Sequence, residues 1–196
     1  MFEWITVISG IFLVLVTIYG YMKKQSLEYA FWFLSGLSFL IISIGLALLG
    51  LDALALPFTI YLGSIYPSFL ALGLLFKREL HWKYYLIFII SMLFLILIGQ
   101  LLISPLRTIA QVTLHTISGL IIVFLPIFVY LKYEEKITQL VFSIGGIVIG
   151  IGGMALASIV AGRPILPLEV VVALLHPLLF ISAFLIALAI YLTYME

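Results

Sequence analysis

The sequence contains no cysteine. Disulfides, thiolate metal sites, iron–sulfur clusters and cysteine nucleophiles are therefore excluded. Charge is almost as scarce. Nine Lys/Arg and eight Asp/Glu make up 9% of 196 residues, where a soluble domain carries about 25%. The net charge of +1 offers no basic field to nucleic acid. No Asp, Glu, Lys or Arg falls near the centre of any long apolar run. A strongly ion-coupled pump with a buried carboxylate is thereby disfavoured. Nucleophile-elbow, zincin and phosphate-loop motifs are all missing, and no nucleophile stands beside a positioned base. An enzyme acting on soluble substrates is not expected, because no loop is long enough to build an aqueous active site.

What remains is hydrocarbon. Sixty-six per cent of the residues are hydrophobic and the mean hydropathy is +1.40. Disorder and an ordinary water-soluble globule are both incompatible with this. A bilayer core about 30 Å thick needs roughly 20 apolar residues in a helix. Seven runs qualify, at residues 4–22, 29–51, 53–76, 84–104, 106–131, 137–161 and 166–194. They are continuously apolar rather than alternating, which argues against a barrel. The expected fold is an all-α integral membrane protein of seven transmembrane helices, forming one domain over residues 1–196. A six-span arrangement that loses the break at Leu51-Asp52 or Ser104-Pro105 is the rival topology. The start of the chain has Glu3 and no basic segment, so the first run is expected to be a retained helix rather than a cleaved leader.

Orientation is read from the basic residues. Lys23, Lys24, Lys77, Arg78, Lys83, Lys132 and Lys136 fall in the first, third and fifth breaks, against Arg107 and Arg163 in the others. The positive-inside bias places the N-terminus outside and the C-terminus in the cytoplasm of a cell membrane. Trp82, Tyr84, Tyr85, Tyr130, Tyr133, Tyr191 and Tyr194 suit an interfacial belt. Pro57 to Pro67 and Pro167 to Pro177 share a ten-residue spacing, and Pro105 to His115 resembles it. The chain thus reads as one helix followed by three copies of a hairpin, related about the membrane normal.

Few polar groups reach membrane depth. His115 and His176 each lie about ten residues inside their runs, roughly 15 Å from the outer end, and Tyr66 holds the same place in the third run. Thr59, Arg107 and Glu169 lie seven or eight residues further out on the same faces, and Gln111 continues that of Arg107. Arg107 and Glu169 have opposite signs and are candidates to pair. His81, at the inner interface, reads as a solvated or headgroup contact. In the sixth run, Gly145, Gly146, Gly150, Gly152 and Gly153 suggest one closely packed face. Pro126 and Pro177 fall inside runs, and each frees a backbone carbonyl one turn earlier that something else must satisfy.

Three functions fit. The first is transport or permeation of a small solute or proton, with Thr59, Arg107, Gln111 and Glu169 as an outer mouth and Tyr66, His115 and His176 as a midplane site. The second is electron transfer through a b-type haem, with His115 and His176 as axial ligands, Arg107 and Arg163 toward its propionates, and a partner redox protein. The third is a structural or assembly subunit, in which the histidines are helix-to-helix glue and the partner is another membrane protein or a second copy. A retinal Schiff base, as in the microbial rhodopsins, needs a lysine in the last span. Residues 166–194 contain none.

Overall fold

The computed structural model describes residues 3–133, 136–160 and 165–195. Seven helices follow the apolar runs closely. They are α1 (Glu3–Lys24), α2 (Leu27–Leu49), α3 (Thr59–Lys77), α4 (Trp82–Leu101), α5 (Ser104–Tyr133), α6 (Thr138–Val160) and α7 (Leu168–Met195). All seven are long and apolar enough to cross a membrane, and no strand occurs among the described residues. The chain is a multi-pass helical bundle. It presents one face carrying Glu3, here the Glu3 face, and an opposite face carrying Lys24.

The first helix buries small and hydroxylic residues and exposes large aliphatic ones, unlike a helix in water. On α1 the buried positions are Thr6, Val7, Ser9, Gly10, Leu13, Val16, Thr17 and Gly20, whereas Ile8, Ile11, Leu15, Ile18 and Met22 are exposed. Small and hydroxylic residues let backbones approach, and large aliphatics face outward where lipid tails are equally apolar. On α4 the outward stripe is Ile87, Ile90, Phe94, Leu97 and Leu101.

The break between the second and third runs is longer than the sequence suggested. Gly50 adopts φ +61°, a conformation a β-carbon disfavours. It ends α2 and opens a 3-10 helix over Gly50–Ala55. Pro57 holds Leu56 extended, at φ −66° and ψ 137°. The third helix therefore starts at Thr59, so Pro57 precedes it. The break looked short because Leu51, Ala53, Leu54 and Ala55 are all apolar.

The contacts between helices define a closed ring. α1 packs on α2 and α7, α2 on α3, α3 on α5, α5 on α6, and α6 on α7. Among the described residues α4 touches α3 and α5 alone and stands outside the ring. The three hairpins consequently occupy different places. α4 approaches its partner very closely, since a β-carbon on Gly99 would collide with the backbone of Arg107.

Bonds between helices fix the ring. Ser35 donates to the Tyr66 carbonyl at 2.6 Å and the Trp32 indole to the Leu70 carbonyl at 3.2 Å, joining α2 to α3. Ser143 donates to Val123 and Ser182 to Gly145, each at 2.8 Å, joining α6 to α5 and to α7. Ser118 is 2.8 Å from the Tyr85 hydroxyl and 3.2 Å from Ser68, so one cluster holds α3, α4 and α5. Tyr85 is therefore buried in that cluster, while Tyr84 is the belt residue, 74% exposed.

The glycines of α6 divide between two neighbours. A β-carbon on Gly145 would press on Ile186 of α7, and one on Gly146 would collide with Ile122 of α5. Gly150 and Gly153 have open space. The expected single face is thus two contacts set side by side, because α6 sits between two ring members.

Candidate functional site

The middle of the ring is filled. Leu13, Leu70, Leu72, Leu114, Ile122 and Ile186 have almost no exposure. Phe39 lies against Tyr66 with ring centroids 4.9 Å apart. Trp32 of α2 reaches Phe142 of α6, with centroids 6.3 Å apart, although those helices are not neighbours in the ring. These rings form a two-level aromatic layer across the bundle, with the Trp32 and Phe142 pair about 10 Å nearer the Lys24 face than the Phe39 and Tyr66 pair.

Toward the Glu3 face the packing opens. A recess of about 540 Å³ lies between the end of α2 and the first turns of α7, beside the start of α1. It is lined by Glu3, Leu46, Gly50, Leu51, Val172, Ala173, Leu175, His176 and Pro177. Leu46 is seven residues outward of Phe39 on α2, or about 10 Å. The aromatic layer therefore lies below the recess.

His176 is positioned by α1. Its Nδ1 is 3.2 Å from the Thr6 hydroxyl, and that hydroxyl also faces the His176 carbonyl at 3.4 Å. Thr6 is completely buried. Glu3, one turn before Thr6, is near enough to act electrostatically on the ring. Because Thr6 is three residues into α1, His176 sits nearer the Glu3 face than the middle of the bundle.

The helix itself adds a further polar group. Pro177 has no N–H, so the Ala173 carbonyl loses its donor one turn later. Ala173 and Pro177 both line the recess.

His115 has different surroundings. Its Nδ1 lies 3.2 Å from the Gln111 carbonyl, and the ring also meets the Gly63 carbonyl of α3. Gly63 is four residues before Pro67, so this is the carbonyl that Pro67 deprives of its helical donor. The His115 ring is therefore near two carbonyls, those of Gln111 and Gly63. A neutral imidazole has one N–H, which it can give to one carbonyl at a time. His115 is not a recess residue, and α5 and α7 make no backbone approach within 8 Å.

The other candidates are dispersed. The Thr59 hydroxyl donates to the Ala53 carbonyl at 2.6 Å and closes the loop before α3. Tyr66 is buried in the aromatic layer, and its hydroxyl has no hydrogen-bond partner among the described residues. Arg107 and Glu169 are exposed, and no ion pair joins them among the described residues. Gln111 serves through its backbone carbonyl. Arg163 lies outside the described residues. No group of three or more potential metal ligands occurs among the described residues.

Sequence reasoning found His176 and missed Glu3 and Thr6. Their three-residue spacing on one helix face was the available signal. It gained meaning once α1 was seen to pack on α7. No protein family, curated protein or solved structure matches this chain.

Proposed function

We propose that this multi-pass membrane protein binds a small solute in the recess at His176 and lets it cross the bundle. The aromatic layer of Trp32, Phe39, Tyr66 and Phe142 is its closed barrier. The observation that carries this reading is the recess itself. It is a partly polar hollow at one membrane face, set among α1, α2 and α7 at a level outward of the aromatic residues that fill the bundle. Ligand sites with mostly apolar walls and a few placed polar groups are the usual pattern. A helix interrupted by proline beside such a site is a recurring transporter feature.

In this reading the Lys24 face is cytoplasmic, by the seven-to-two distribution of basic residues. The recess then opens outside the cell. The equal spacing of Pro57–Pro67 and Pro167–Pro177 supports an origin of the hairpins in one repeated unit. His115, set against the carbonyl freed by Pro67, is a structural residue.

The test is flux. Purified protein in liposomes should admit at least one member of a panel of small cations, anions and neutral solutes faster than protein-free vesicles. Val172→Trp, which fills the recess, should abolish that flux. If no solute, ion or proton moves under any gradient, the chain is not a transporter.

A further inference from the structure

Taking the recess to be the solute site, we infer that its ligand is a small protonated amine with an aliphatic body. The polar groups among the described residues that line the recess are read as acceptors. Glu3 contributes a carboxylate. The Ala173 carbonyl has no helical donor, because Pro177 follows four residues later. The third is His176. In the arrangement we assign, the single hydrogen of Thr6 goes to the His176 carbonyl at 3.4 Å, and the Nδ1 contact at 3.2 Å is made by an N–H of the ring donating to the Thr6 oxygen. The ring proton is then on Nδ1, and Nε2 is left with its lone pair.

A carboxylate ligand would meet the like charge of Glu3. An alcohol has one hydrogen to offer. An alkylammonium has three N–H donors and the charge opposite to Glu3. The remaining lining, from Leu46, Leu51, Val172 and Leu175, is aliphatic and suits a hydrocarbon tail. The surrounding face has the same sign. Among the described residues Glu3, Asp52 and Glu169 lie toward it, against Arg107. Among the other described residues Lys and Arg outnumber Asp and Glu seven to two, so the Glu3 face is the acidic one.

The experiment is binding to the full chain in nanodiscs at low ionic strength, by calorimetry. The probes are n-butylamine at neutral pH, n-butanol, butyrate and butyltrimethylammonium. We expect n-butylamine to bind about tenfold or more tighter than the other three, the scale of a charge-assisted hydrogen bond. Glu3→Gln should weaken the amine by a similar factor and leave butanol unchanged. Butyrate or butanol binding as tightly as the amine, with loss in Val172→Trp, overturns the inference while the recess remains a solute site. Equal binding of the quaternary ammonium overturns the hydrogen-bonding part. If none of the four binds but another solute crosses in the flux assay, the amine assignment falls alone. If nothing binds and nothing crosses, both readings fall.

Discussion

His115 and His176 show how one residue type divides between two tasks. Both rings use Nδ1 on a nearby oxygen, and both stand close to a carbonyl freed by proline. At α3 the imidazole stands against the freed carbonyl inside the packing between α3 and α5. At α7 the freed carbonyl and the ring lie on the wall of a hollow. His115→Leu should therefore reduce stability and spare ligand binding. We expect a loss of about 0.6–1.7 kcal/mol, the measured range for hydrogen bonds between membrane helices, seen as a lower melting temperature of detergent-purified protein. Thr6→Val should do the reverse. The helix packing survives, but the ring loses the oxygen that fixes its tautomer, and amine affinity in the calorimetric assay should fall severalfold. The histidines were visible in the sequence because so few polar residues reach that depth. Their different roles were not, since they depend on which helix faces each ring.

At the scale of the helix, tight contacts depend on missing side chains. Gly99 lies directly against the backbone of Arg107, and a backbone cannot move aside as a flexible side chain can. Gly99→Ala should pry α4 from α5 and cost about 1–3 kcal/mol, the usual range for overpacking. Thermal denaturation followed by size-exclusion chromatography measures this directly. Ser182→Ala removes the bond to Gly145 and should cost about 0.6 kcal/mol. The extents of the helices were legible because charged clusters such as Lys23-Lys24 and Lys77-Arg78-Glu79 bound each apolar run. The 3-10 helix after α2 was not, because Gly50–Ala55 carries one charged residue, Asp52, among apolar ones. The two-sided use of α6 glycines was equally hidden. A stripe of small residues says that something comes close, but not from which side.

Across the whole molecule, the order of helices in the ring could not be read from one sequence. In lipid both faces of a helix are apolar, so the pattern that tells a soluble helix which side is buried is weak. That Thr6 and His176 meet follows from the first helix packing on the last, 170 positions away. Orientation is open to direct test because the chain has no cysteine. Single cysteines replacing Lys24 or Lys132 should react with impermeant maleimide only after cells are opened. A cysteine at Ser104 should react from outside, and the reverse pattern would invert the assignment. The barrier can be probed in the same way. Phe39→Ala should raise downhill flux of the transported solute in liposomes, since it removes the ring stacked on Tyr66. Unchanged flux would place the barrier elsewhere.

The proline four residues beyond Ala173 has a mechanical consequence. It removes one rung from the hydrogen-bond ladder of α7 and leaves the turns before it joined to the rest by a softer joint. Those turns are mostly exposed, and Thr6 is the hydroxyl that tethers them to α1. The width of the mouth is therefore governed by a bending angle rather than by rotamers. A guest that draws Glu3 and Ala173 together would shut the jaw behind itself, and its departure would let the jaw relax.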